Sequence, residues 1–205
     1  MAKVQPKHES VTSSPEGLIA RAKSATKGGV APVHLWNPPF CGDIDMRIAR
    51  NGIWYYMGTP IGRPELVRLF SSILKRENDR YYLVTPVEKV GIVVDDAPFL
   101  AVDFNVSYTG KDQLLTFETQ VGDFACAGPD FPLRIEFDAE TAEPSPYVLI
   151  RSNLEALIDR KSFHRLIDLA VHHADWFGVW SGGTFFRFMP SQEIREIEEN
   201  RSDFV

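Results

Sequence analysis

The sequence predicts an α+β fold in two small domains, and three observations predict it. An order of strand, linker, helix and hairpin occurs twice along the 205 residues. The hydrophobic period changes from two to helical spacing at matching places in each half. Arg63-Pro64-Glu65-Leu66-Val67-Arg68-Leu69 also aligns with Arg160-Lys161-Ser162-Phe163-His164-Arg165-Leu166, keeping Arg, a large apolar residue, Arg and Leu at one constant offset. The length fits one large domain or two small ones, and the duplication favours two. The expected layout is a disordered tail at 1–12, an N-terminal α+β domain at 13–96, a β-rich C-terminal domain with a helix at 97–190, and an acidic tail at 191–205.

Each element has its own signal. Ser13-Ser14-Pro15-Glu16 supplies an N-cap, a first-turn proline and an early acid. The helix that follows groups Leu18, Ile19, Ala22 and Ala25 on one face and stops at Gly28-Gly29. From Asp43 the period becomes two, with Ile44, Met46 and Ile48 on one face and Asp43, Asp45 and Arg47 on the other. Asn51-Gly52 has the composition of a tight hairpin turn, with Ile53 to Met57 as the returning strand. Pro64 opens a helix through Leu66, Val67, Phe70, Ile73 and Leu74. Tyr81 to Val84 and Val90 to Val94 read as a hairpin.

In the second half, Phe99–Val106, Leu114–Glu118, Leu133–Phe137 and Tyr147–Ile150 are β-rich and imply a meander. Ser152-x-x-Glu155 has the form of a capping box opening a helix through Leu154, Leu157, Ile158 and on to Val171. Trp176–Trp180 and Thr184–Met189 flank Ser181-Gly182-Gly183 as a last hairpin, and the segment after Pro190 is expected to fray.

Charge narrows the function. Net charge by segment is +3 for residues 1–30, zero for 31–96, −6 for 97–190 and −3 for 191–205, so no folded part offers the basic surface that duplex nucleic acid needs. The sequence contains no membrane-length apolar run and no signal-peptide core at its start, which points to the cytoplasm and away from membranes. Cys41 and Cys126 form no metal-type pair, and Cys41 reads better as a buried structural thiol than as a nucleophile.

Chemistry-bearing residues concentrate between Trp36 and Arg47. Two prolines stiffen an aromatic connector, and Asp43, Asp45 and Arg47 then share a strand face, where carboxylates could divide acid and base work or hold a hard cation. The plainer account is a solvated face with an arginine beside two acids. His164, Asp168 and His172 would share a helical face, but they lack a recognised fourth ligand. Ser181-Gly182-Gly183-Thr184 lacks the lysine and the following helix of a phosphate loop. Arg63, just before a helix start, suits an anion, with capping or an internal salt bridge as the alternative.

The strings Trp36-Asn37-Pro38-Pro39, Cys41 to Met46, Met57 to Arg63 with Leu66 to Phe70, and Tyr82 to Lys89 resemble an uncharacterised bacterial family, domain of unknown function 1285. The resemblance runs from about Pro32 to Met189. It implies two domains with a repeated motif, a C-terminal portion superficially like pleckstrin-homology folds, and a nucleotide-type ligand at the domain interface with a signalling role. It brings no catalytic residue.

The resulting expectation is a non-catalytic ligand-binding or signalling protein holding a nucleotide-like anion in an interdomain cleft, with no cofactor and no metal. Trp36 or Phe40 would stack, Asn37 and Thr85 would hydrogen-bond, Arg63 and Lys89 would meet phosphate, and Asp43 or Asp45 would meet ribose or a cation, with Arg47 beside them. A metal-assisted hydrolase using Asp43 and Asp45 and a protein-interaction scaffold are the alternatives. A protein partner and the oligomeric state are left open.

Overall fold

The computed structural model describes residues 15–26 and 31–202. The chain divides into two compact units, the first comprising 1–47 and 54–93 and the second 48–53 and 94–205. The tail at 1–12, the cap at Ser13-Ser14 and the stop at Gly28-Gly29 lie outside the described residues.

The first unit begins with helix α1 (Pro15–Ala25), which buries Leu18 and Ala22. A six-stranded sheet follows, in the order β3-β2-β1-β6-β5-β4. Its strands are β1 (Phe40–Ile48), β2 (Trp54–Tyr56), β3 (Thr59–Pro60), β4 (Leu74–Glu77), β5 (Arg80–Val84) and β6 (Lys89–Val94). Helix α2 (Pro64–Ser72) joins β3 to β4. The period-two reading of β1 holds, since Met46 and Ile48 are buried while Asp43, Asp45 and Arg47 are exposed. The core lies against the apolar face, where Trp54 stacks on Phe70 at 6.4 Å beside Ile73, Leu83 and Val90.

Two readings change here. The turn at Asn51-Gly52 has positive φ only at Gly52, and Asn51 uses its side chain to accept the Ile53 N–H. Consecutive positive φ instead falls at Met57 and Gly58, where Tyr56 pairs with Thr59. That is the two-residue geometry whose twist matches a hairpin. Helix α2 also ends at Ser72, so Leu74, Lys75 and Arg76 belong to a strand that pairs with β5. Apolar Leu74 fits either period, and the strand partner decides.

The second unit carries a sheet ordered β10-β11-β12-β7-β8-β9, built from β7 (Phe99–Ser107), β8 (Leu114–Thr119), β9 (Phe124–Cys126), β10 (Leu133–Phe137), β11 (Pro144–Arg151) and β12 (Leu154–Ile158). β12 runs parallel to β7 and the other pairings are antiparallel. Helix α3 (Arg160–Asp168) leads to a separate three-stranded sheet, β13 (Val171–His173), β14 (Trp176–Ser181) and β15 (Thr184–Pro190), and then to α4 (Ser191–Ser202). Three strands, a helix and three strands therefore occur twice, as β1-β2-β3-α2-β4-β5-β6 and β10-β11-β12-α3-β13-β14-β15.

The expected capping box at Ser152 is a strand turn. Ser152 sits at φ 50°, Leu154–Ile158 is the strand β12, and the helix starts later with Asp159 accepting the Ser162 N–H at 2.7 Å. Val171, His172 and His173 lie on β13, so His172 does not continue a helical face with His164 and Asp168. The acidic segment after Pro190 is helical through Ser202. The last hairpin is as read, with Gly182 and Gly183 both at positive φ. Its tip is tethered, because Ser181 Oγ donates to the Ala127 carbonyl at 2.7 Å and accepts the Leu115 N–H at 2.9 Å. Those bonds make the glycines a structural turn.

Candidate functional site

The β1 strand gives the first unit two unlike faces. On the exposed face, Asp43 bridges Arg80 at 2.7 Å, and Arg80 lies over the rings of Phe40 and Tyr82. Gly91 makes room for this pair, since a Cβ there would lie 1.9 Å from Asp43 Oδ1. Lys89 reaches Glu77 at 2.7 Å and Tyr82 at 4.9 Å, while Lys75 bonds Glu77 at 3.0 Å and the Trp36 carbonyl at 3.2 Å. Hydrogen bonds from Lys89 and then Lys75 hold the Glu77 carboxyl below its ordinary value of 4.5, against the opposing effect of burial. Arg47 lies 5.0 Å over Tyr55. These charges answer one another across a strand face.

The opposite face borders a recess of about 370 Å³. Leu18 and Ile19 from α1, Ile44 and Met46 from β1, Tyr56 from β2, and Leu66 and Phe70 from α2 wall it, with Thr59 to Arg63 along the rim. The walls are aliphatic and aromatic because the apolar phase of β1 meets the apolar stripes of two helices. Arg63 is the single charged side chain among these lining residues. It occupies the N-cap position of α2 without a side-chain cap bond, and it forms no ion pair with a described residue. That separates it from Arg21, Arg76 and Arg80, which bridge Glu88, Asp79 and Asp43.

All nine residues singled out in the sequence belong to the first unit, and Arg63 alone borders the recess. Asp43, Asp45 and Arg47 sit on the other face of β1, where both carboxylates are exposed. Thr85 is fully buried, and its hydroxyl accepts the Val87 and Glu88 N–H groups. Lys89 is held by Glu77. Trp36 is half-buried, Asn37 is exposed, and Phe40 packs edge-on against Tyr82 at 6.1 Å. Cys41 is exposed, contrary to the buried thiol expected; it lies in the first residues of β1, a strand whose first buried residue is Met46. No group of three metal-ligating side chains occurs among the described residues.

The sequence reading missed the recess walls, because Leu66, Phe70, Ile44 and Met46 look like ordinary core in a one-dimensional pattern. The detectable signal was Arg63, which stands at the entry of an amphipathic helix.

The family profile for "Domain of unknown function (DUF1285), N-terminal domain" matches residues 31–97, and that for "Protein of unknown function (DUF1285), C-terminal domain" matches 98–188. The chain is similar to a DUF1285 family protein from Silicibacter pomeroyi DSS-3, solved by crystallography. Identity is 63%, coverage is 89% of this chain and 100% of that one, and the TM-score is 0.83. A DUF1285 family protein from Shewanella baltica OS155 is 28% identical over 60% of this chain and 90% of that one, with a TM-score of 0.48. No curated protein matches the sequence.

Proposed function

Since the chain belongs to the DUF1285 family, whose name specifies no chemistry, we propose from the recess itself that the first unit binds a small anion with an apolar body. The observation that carries this is an arginine without an acid partner on the wall of an otherwise apolar recess. Ligand pockets commonly combine apolar walls with a few orienting polar groups, and this volume lies at the small end of their range. Guanidinium recognises a carboxylate bidentately, and the first-turn N–H groups of α2 add positive potential.

An alkyl or aryl carboxylate matches these walls better than a nucleotide. A base and ribose would bury several donors and acceptors, and the lining offers the Thr59 hydroxyl, the Tyr56 phenol and rim backbone in return. Binding fits better than turnover, because no carboxylate, imidazole or thiol lines the recess to exchange protons. Asp43 and Asp45, the pair a hydrolase would use, do not line this recess, and Asp43 is bridged to Arg80. A ligand-responsive signalling role in the cytoplasm is compatible with two free, exposed cysteines, which suit a reducing compartment. No described helix is long and apolar enough to cross a membrane.

Calorimetry and thermal shift against decanoate, naphthoate and a nucleotide panel test the reading. Decanoate or naphthoate should bind, with Arg63→Ala weakening it by about tenfold or more and Leu66→Trp abolishing it by filling the recess. Nucleotide binding that ignores both substitutions, or no carboxylate binding at about 5 mM, would overturn it.

A further inference from the structure

We infer that the second unit holds its own binding recess, built from matching positions of the repeat, and that it accepts a phosphate monoester on an apolar body. A recess of about 640 Å³ lies in this unit beside the start of α3. Ile61, Gly62, Arg63 and Leu66 border the first recess, and Ile158, Asp159, Arg160 and Phe163 border the second. These positions correspond at the offset of the sequence repeat, with Arg63 at the N-cap of α2 and Arg160 at the first residue of α3, after its N-cap Asp159.

The chemistry has diverged between the copies. Residues 97–190 hold seven basic and thirteen acidic side chains, and three of the basic groups bridge an acid. Arg134, Arg151 and Arg165 bridge Glu155, Asp123 and Asp103. Arg160 has no ion pair among the described residues, and it lines the recess together with His164, one helical turn on. Arg50 joins them and is oriented by its own partners. It donates to Ser145 Oγ at 2.7 Å and reaches Asp96 at 3.3 Å, and Asp96 accepts the Tyr147 hydroxyl at 2.8 Å. The Asp159 carboxylate is engaged with the Ser162 N–H, which leaves Glu143 as the other acid on the rim.

Two guanidiniums and an imidazole supply more donors than a carboxylate can accept and suit the three oxygens of a phosphate monoester. Glu143 opposes a chain of further phosphates, since like charges across a site cost affinity. Leu157, Phe163 and Pro146 give the apolar body a surface. The inference stands on residues of the second unit and does not require the first recess to be occupied.

The test titrates the full chain with naphthyl phosphate, naphthol and inorganic phosphate, following binding by calorimetry and backbone NMR. Naphthyl phosphate should bind and shift resonances around Leu157 and Phe163, with naphthol and inorganic phosphate each about tenfold weaker or worse. At the site reported by the Leu157 and Phe163 resonances, Arg160→Ala should cost about tenfold, His164→Gln a smaller factor, and Arg63→Ala, in the other unit, nothing. No binding at about 5 mM, or an affinity unchanged by Arg160→Ala, would overturn the proposal. Sensitivity to Arg63→Ala in place of Arg160→Ala would also overturn it while leaving the reading of the first recess intact.

Discussion

The two helix-entry segments of this protein start from the same residue pattern and end with different walls. In the first copy Arg63 precedes α2 without a side-chain cap and stands over aliphatic and aromatic residues. In the second, Asp159 caps α3, and Arg160 and His164 stand beside prolines, a phenylalanine and two acids. The strands after each helix differ as well, since β4 to β6 complete a six-stranded sheet while β13 to β15 form a sheet of their own. Each helix entry thus borders a recess, and the chemistry of the two linings differs.

The sharpest way to separate the copies is through glycines in the strands that follow. A Cβ at Gly178 would lie 2.1 Å from the Phe186 carbonyl oxygen, which is backbone and held in the β14–β15 register. Gly178→Ala should therefore cost about 3 kcal/mol or more in chemical denaturation. At Gly91 the obstacle is the tip of the Asp43 side chain, which can rotate away at the loss of an exposed ion pair. Gly91→Ala should cost under about 1.5 kcal/mol. Equal losses at the two positions would break the contrast.

Capping gives a smaller difference. Asp159→Ala removes the acceptor for the Ser162 N–H and should destabilise the protein by about 1 kcal/mol. Arg63→Ala at the matching helix entry removes no cap bond and should leave the denaturation midpoint within about 0.5 kcal/mol of wild type. A comparable loss at Arg63 would show that its side chain supports the fold and would weaken its assignment to a ligand.

The smallest effect concerns pH. Glu77 is depressed by Lys89 and Lys75, so its contribution is present above its unfolded value near 4.5 and fades as pH falls through the lower folded value. Lys89→Met should raise the Glu77 titration toward 4.5 in a carboxyl NMR experiment, with a stability change of about 0.5 kcal/mol at neutral pH. In the second unit the corresponding marker is Tyr147, whose hydroxyl is pushed up to about 12 by burial and by its bond to Asp96.

How far the sequence could be read follows from these elements. β1, α2, the β5–β6 hairpin and the last hairpin were legible because one face of each meets a core and the other meets water. β4 and β12 were not, since Leu74 fits the spacing of the preceding helix, and Leu154, Leu157 and Ile158 fit that of the following one, until a strand partner is known. The serine at 152 carried a helix-start pattern, yet its positive φ makes it a turn. Of the candidate site, Arg63 was legible from its place at a helix entry. The recess was not, because whether apolar residues meet or leave a gap depends on how two helices and a strand pack. Thr85, Lys89 and Asp43 were chosen for their chemistry, and each makes local bonds within its own unit that the sequence does not reveal.

The central claim is that an apolar anion sits between α1, α2 and β1 with its charge at Arg63. A crystal structure of the full chain grown with naphthoate tests it most directly. Density for the ring among Ile44, Met46 and Phe70, with the carboxylate within hydrogen-bonding distance of the Arg63 guanidinium, is the predicted result. An empty recess at saturating ligand, or a carboxylate turned away from Arg63, would contradict it.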